Sequence, residues 1–530
     1  MAENKNNYTS IPKEKFSFVH DGERISDKKF DDKPIGYFKD AWIRFRKSHA
    51  AVVATVIIIL IILFALLAPV FISTHDATFM VASYAKKPGR LNSFLYDYGI
   101  LDGGTNRDFS EKGLIKALAV GIGAEDWAGN GVSYEQGMES DYQPIRRINN
   151  SRVSVGAGNK ESTIYNSRVD TYLEVGFNYL SVEKSEYEAI LAFEQETGLH
   201  VLYPLVANNE YCQDPLDANY WYKTKKGAPL YENESGKLKT FTLDADGVLE
   251  HDLLDNYKRD ADGNVMYYEY TGGGNFDTAQ YKIRVLYYNY YQFKYGFAPD
   301  YLMGTDSQGY DLALRLSGGI KLSLVLAISV SAINFFLGAM YGAVEGYYGG
   351  AVDLVLERIA DILYSTPFVV VATLFQIHLS KKVGPIPSLL FAYVLTGWIG
   401  TAHRVRTQFY RFKNQEYVMA ARTLGARDGR IIWKHIFPNS LGTIITSSAL
   451  VIPGVIMTES MLSYLGIVKL GGSTATSLGT LLSDASAIWT NYPHLMLYPA
   501  LIISLLMICF NLFGNGLRDA FNPALRGVEE

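Results

Sequence analysis

The chain carries only two cysteines among 530 residues, Cys212 in a polar region and Cys509 in an apolar run. Their settings argue against a mutual disulfide, and two are too few for a cysteine metal site. No GxxxxGK[ST] phosphate loop occurs, so the chain is not expected to bind or hydrolyse ATP by that device. A nucleophile elbow, zinc-ligand spacing and a dinucleotide fingerprint are also missing. His378 and His403 are too isolated to propose as ligands. The formal net charge of -5, with no domain-sized basic excess, removes the general case for nucleic-acid binding. Apolar runs are lacking until about residue forty, which argues against a cleavable signal peptide and for a first apolar helix that stays in the membrane.

The sequence does hold 48% hydrophobic residues, gathered into blocks. Residues 1–49 are polar and end in Lys39, Arg44, Arg46 and Lys47, a positive-inside pattern that assigns this segment to the cytoplasm. Residues 50–72 are uncharged and long enough to cross a hydrocarbon core of roughly 30 Å. Residues 73–297 are tyrosine-rich, mixed in charge and punctuated by Gly and Asn, which predicts a folded α+β extracytoplasmic domain. Within it, residues 181–197 read as a helix with Gly198 as its C-terminal cap, and residues 199–206 as a buried strand. Asp244-Ala245-Asp246-Gly247 and Asp260-Ala261-Asp262-Gly263 fit two hairpin turns better than calcium loops, since the acidic spacing misses the EF-hand pattern. The tyrosines of 267–295 read as packing residues, with a sugar- or peptide-binding face as the alternative.

Apolar segments return after Pro299, at residues 321–341, 355–379, 387–400 and beyond, 441–465 and 495–513. With the first span they make about six crossings, five of them in a core at 298–517, and return a tail at 518–530 to the cytoplasm. Arg404, Arg406, Arg411, Lys413, Arg422, Arg427, Arg430 and Lys434 then all fall inside, whereas Lys381 and Lys382 fall outside.

Between two of these spans lies the polar, basic stretch 414–439, containing EYVMAARTLGARDGRIIWKHIFPN. A short helix is expected from about Asn414, carrying Glu416, Ala420 and Ala421 and stopping at Gly425. A second is expected from about Arg427, ended or kinked by Pro438. Small residues at Ala420, Ala421 and Gly425 admit close approach by another helix, and Glu416 suits a helix N-terminus. A basic turn held at anionic lipid is the plainer alternative. Asp361 and Glu459 fall at or within spans, where an ionisable group is expensive; a coupling-ion role and a packing role both remain open.

The order Glu, Ala-Ala, Gly, then Ile436-Phe437-Pro438 resembles the EAA loop of ABC importer permeases. MGTDSQGYD at 303–311, Gly346-Tyr347-Tyr348-Gly349-Gly350, Arg358-Ile359-Ala360-Asp361 with Pro367, the ESMLSYLG run at 459–466 and Gly514-Asn515-Gly516-Leu517-Arg518-Asp519 with Pro523 follow in an order similar to the C-type permeases of oligopeptide and dipeptide ABC transporters. Tyr310 stands where that family usually has arginine, and Asn515 where it often has aspartate. The resemblance covers roughly residues 34–73 and 299–526, leaving the intervening domain unexplained. It implies an all-α polytopic membrane protein of the ABC type I importer permease fold, non-catalytic itself. It further implies a homologous second permease, two cytoplasmic subunits that bind ATP and Mg, and an extracytoplasmic peptide-binding protein. Ile436 and Pro438 are expected to set the loop's exit angle toward the next span. A cell membrane location in a bacterium of Gram-positive type is expected, since an outer domain suits a lipid-tethered binding protein. A permease for nickel or a glycoside, an ion-coupled secondary transporter and a membrane-anchored sensor are the competing readings.

Overall fold

The computed structural model describes residues 36–71, 76, 78–91, 98–155, 161–212, 216–271, 280–472 and 476–521. The expected N-terminal segment up to residue 35 and the tail with Pro523 and Arg526 lie outside the described residues.

Among the described residues, five helices are long and apolar enough to cross a membrane: His49–Phe71, Leu312–Tyr348, Pro385–Phe412, Asp428–Tyr464 and Pro493–Phe521. A bent pair, Gly350–Tyr364 with Phe368–His378, brings the number to six if it counts as one span. The expected straight span at 355–379 is therefore corrected. The pair turns by 71°, because Pro367 lacks an amide hydrogen and disfavours helical geometry in the residue before it. The core of the bundle packs helix on helix through small residues. Along Leu312–Tyr348 the glycines 338, 342 and 346 form one stripe. A Cβ at Gly342 would stand 2.2 Å from the Ala402 carbonyl oxygen, and one at Gly346 2.8 Å from that of Arg406. Such close backbone approach is how helices associate where the solvent is as apolar as their side chains. The terminal GNG motif has the same cause, since a Cβ at Gly516 would meet that of Ala51 at 2.3 Å and one at Gly514 would meet Leu450 at 2.4 Å.

Ahead of the first span, in sequence expected to be merely polar, lies an amphipathic helix, Tyr37–Lys47. Ala41 and Phe45 are buried against the last helix, while Phe38 and Trp42 face outward. This pattern suits a helix lying in a membrane interface.

Between the first and second long helices the described residues build three antiparallel sheets around a nearly fully buried helix, Glu111–Glu125. The first sheet orders Gly104–Ser110, Glu161–Asp170 and Ile145–Val155. The second centres on Gln280–Leu286, and the third is a small meander. Trp221 Nε1 donates to the Ala119 carbonyl at 2.8 Å, and Gly123 leaves room for its ring. The helix expected at 181–197 starts later, at Lys184, because Phe177–Glu183 is a strand paired with Gln280–Leu286; Gly198 is its left-handed cap. Of the expected strand at 199–206, Leu202–Tyr203 is a paired strand and Val206 adds an isolated antiparallel bridge to Tyr257. Gly247 and Gly263 hold positive φ in turns whose first aspartate accepts from backbone amides two and four residues on. The second turn joins the paired Arg259 and Val265, but the first lacks flanking strands, since Leu238–Thr240 ends before it. Tyr281, Tyr290 and Tyr291 are buried as packing residues, whereas Tyr270 remains exposed.

This α+β segment is fastened to the bundle by the MGTDSQGYD motif. Asp306 Oδ1 accepts from the amides of Gln308, Gly309 and Tyr310 at 2.9, 2.9 and 3.0 Å, and its Oδ2 accepts from Arg315 Nε at 3.1 Å. Gly304 and Gly309 have positive φ, and a Cβ at either would lie 2.2 Å from a carbonyl oxygen of the entering chain. Tyr310 packs its ring under the Arg315 guanidinium at 4.4 Å.

Candidate functional site

The stretch 414–439 opens with a helix at Glu416–Thr423, with Glu416 in its first turn. It closes in a Schellman arrangement: Gly425 N donates to Arg422 O and Ala426 N to Ala421 O, both at 3.0 Å. Gly425 has φ of 81°, and a Cβ there would touch nothing within 4 Å. The left-handed dihedral, and not crowding, is therefore what calls for glycine.

One side of this helix is seated and the other is bare. Val418 is buried in a cluster with Ala343, Tyr347, Val405, Phe409, Ile431 and Ile436. Tyr417, Met419 and Leu424 face outward, Leu424 being 88% exposed; Glu416 and Ala420 are exposed and Ala421 partly so. Tyr347, at the end of a long helix, clamps the loop from below. Its hydroxyl donates to Asp428 Oδ1 at 2.5 Å and accepts from Arg422 Nη2 at 3.3 Å. Lys413 Nζ adds a bond to the Gly346 carbonyl at 2.9 Å.

The expected break at Pro438 is absent. Residues Ile431–Ile436 form a π-helical turn, and Pro438 enters at the start of the following helix, Phe437–Ala449, where an amide is least needed. Phe437 N reaches back five residues to Ile432 O. Ile436 is fully buried and Pro438 exposed. The loop thus leads through the π-helical turn into Phe437–Ala449, the first part of the span Asp428–Tyr464, which is interrupted at Leu450.

Next to the loop is a charge cluster that sequence reading missed. Arg406 donates to Asp353 at 2.6 and 2.8 Å and to Glu357 at 2.9 Å from two nitrogens, and lies 3.6 Å from Glu345. Tyr410 donates its hydroxyl to Asp353 at 2.6 Å. Oxygens of Glu345, Asp353 and Glu357 come within 4.8 Å of one another, close enough for a cation, but the Arg406 guanidinium takes that role. The spacing of glycines at 338, 342 and 346 was the available signal, since it brings the two helices together at this point.

The structure does not bring Asp361 and Glu459 together. Asp361 is half-exposed and pairs with Arg358 at 3.2 Å. Glu459 is fully buried and accepts from Ser323 Oγ at 3.1 Å and Ser463 Oγ at 3.0 Å.

The family model described as binding-protein-dependent transport system inner membrane component matches residues 334–527, and that for the N-terminal TM domain of oligopeptide transport permease C matches residues 36–88. Residues 89–333 fall between the two. The oligopeptide transport system permease protein OppC of Bacillus subtilis is 39% identical over 229 residues, 43% of this chain and 73% of that one. The dipeptide transport system permease protein DppC of the same organism is 38% identical over 43% of this chain and 70% of its own. A structure of the MetNI methionine ABC transporter in inward-facing conformation aligns with 38% of this chain and 94% of that one at 15% identity, with a TM-score of 0.32.

Proposed function

The chain belongs to the family of binding-protein-dependent transport system inner membrane components, and we propose that it is the permease subunit of an ATP-driven importer of oligopeptides or dipeptides. It is a multi-pass membrane protein of a transport family. In this reading it forms half of a translocation path with a homologous permease. Two cytoplasmic subunits bind ATP and Mg, and a peptide-binding protein delivers substrate on the other side. Both termini and the loop 414–439 face the cytoplasm, as the Lys and Arg distribution favours. The α+β segment stands outside, where it contacts the binding protein in a cell of Gram-positive type.

The observation that carries the reading is the loop helix Glu416–Thr423: clamped by Tyr347 on one side, capped by Gly425, and bare over Tyr417, Met419 and Leu424 on the other. A rigid helix with an uncovered apolar face suits a groove in a separate motor subunit. When ATP closes the motor pair, the loop moves as a body and the spans exchange inward-facing and outward-facing packings. Asp361 and Glu459 serve as packing groups in this scheme.

The test is peptide-stimulated ATP hydrolysis by the purified complex, with Gly425→Val beside the wild type. Stimulation in the wild type and its loss in the variant, with the subunit still in the membrane, is expected. Hydrolysis indifferent to peptide but responsive to nickel or a glycoside would transfer the reading to those substrates. Normal peptide uptake by Gly425→Val would remove the docking role.

A further inference from the structure

A cleft of about 550 Å³ opens where the α+β segment meets the turn before the last long helix. Its walls come from residues 85–88 of the entering chain and from strand Gly104–Ser110, and its far side from Thr490, Asn491 and Tyr492. The volume falls within the range of small-ligand sites.

Its charges are unevenly matched. Asp108 is occupied by Arg152 at 2.6 Å and Asn166 at 2.8 Å, and Glu174 is paired with Arg107. Lys87 Nζ donates to a neutral group, the Thr171 carbonyl, at 2.7 Å. Lys86 Nζ lies 5.7 Å from the centre of the Tyr492 ring, and among the described residues it makes no ion pair. Two ammonium groups therefore border the cleft without a carboxylate hydrogen-bonded to either. Burial pushes the Lys87 ammonium below its ordinary value against the pull of the Glu174 and Asp170 carboxylates, and a bound anion adds to that pull.

Lys86 is also held in a backbone conformation that non-glycine residues rarely adopt, with φ of 63°. The Asp306 carbonyl, part of the MGTDSQGYD loop, accepts the Lys86 amide at 2.8 Å and keeps it there. Strain of this kind persists where the surroundings over-determine it, and it collects at ligand sites.

We propose that this cleft binds the free carboxylate end of a short peptide, with Lys86 and Lys87 as the partners of the carboxylate and the Tyr492 ring as an apolar wall. The proposal rests on the peptide-import reading for the identity of the ligand. The full chain, in lipid nanodiscs, is titrated with trialanine and with its C-terminal amide. Lys86→Gly is the informative variant, because glycine accepts the positive φ and loses only the side chain; Lys86→Arg returns the charge. Trialanine is expected to bind about tenfold or more tighter than the amide, with the preference lost in Lys86→Gly and regained in Lys86→Arg. Equal affinity for acid and amide, no binding of either, or an unchanged preference in Lys86→Gly overturns the site. Peptide uptake by cells with the subunit deleted tests the import reading separately: undiminished uptake would remove that reading while the binding result stood.

Discussion

Arg406 grips Asp353 by two parallel hydrogen bonds, Nε to Oδ1 at 2.6 Å and Nη2 to Oδ2 at 2.8 Å, and so ties the span Pro385–Phe412 to the helix Gly350–Tyr364. The fork geometry is specific to arginine. Removing it leaves Glu345, Asp353 and Glu357 facing one another. Arg406→Ala is expected to cost about 1–3 kcal/mol, and Arg406→Lys to fall between it and the wild type. Thermal unfolding of the detergent-solubilised chain measures the order.

The glycine stripe makes a sharper steric prediction. Gly342→Ala places a methyl 2.2 Å from the Ala402 carbonyl oxygen, whereas the same change at Gly318 meets nothing within 4 Å. The first should destabilise by about 1–3 kcal/mol through overpacking, and the second should leave the melting temperature unchanged or raise it slightly, since alanine is the better helix former. Equal effects at the two sites would show that helix contact does not govern this pair.

Leu424 is exposed and uninvolved in the seat of its helix. Leu424→Glu should leave unfolding unchanged and weaken retention of the ATP-binding subunits by about tenfold or more. Co-purification from the same membranes reads both quantities. Full retention would locate the docking face elsewhere.

Glu459 separates a packing group from an ion carrier. Ser323 and Ser463 donate to different oxygens of Glu459 at 3.1 and 3.0 Å; Gln keeps one oxygen acceptor for one hydroxyl, and its NH2 donates to the other, whose proton turns away. Peptide uptake by Glu459→Gln should stay within about twofold of wild type, while Glu459→Leu, which strands two buried hydroxyls, should lower stability by about 1–3 kcal/mol. Uptake abolished in Glu459→Gln, together with dependence on an ion gradient, would favour a secondary transporter.

Asp126 gives a pH signature in the α+β segment. Burial pushes its carboxyl above the ordinary carboxylate range even though Gly131 N donates to it at 3.0 Å. The folded chain then holds this proton more tightly than the unfolded chain, so its contribution to stability falls as pH rises from the ordinary carboxylate value to the raised one. Asp126→Asn lacks that loss. Its melting temperature relative to wild type should be higher at about pH 7 than at about pH 3, where both side chains are neutral.

What could be read beforehand followed from local chemistry. An uncharged run at 50–72 has few alternatives to a membrane helix, observed at His49–Phe71, and Gly425 after a short helical pattern suggested the cap now seen in its two hydrogen bonds. Pro438 was misread because a proline breaks a helix only where its missing amide and its ring conflict with the preceding turn. The π-helical residues Ile431–Ile436 widen that turn. The Arg406 pairing could not be read from the charges themselves, since its carboxylate partners lie 49 and 53 residues away; only the glycine spacing on a neighbouring helix hinted at the close approach. The amphipathic character of Tyr37–Lys47 was present in the residues but hidden beneath their net charge.

The passage from the loop through the π-helical turn Ile431–Ile436 into Phe437–Ala449 makes a short lever that ends at Leu450, where the helix is interrupted before Val451–Tyr464. At 1.5 Å per residue the stretch from Asp428 to Ala449 measures about 33 Å. A tilt of about 5° at the loop end therefore sweeps its far end through about 3 Å. A hinge at Pro438 would have absorbed that rotation near its source, whereas this arm delivers it to Leu450, the residue on which Gly514 of the last long helix packs.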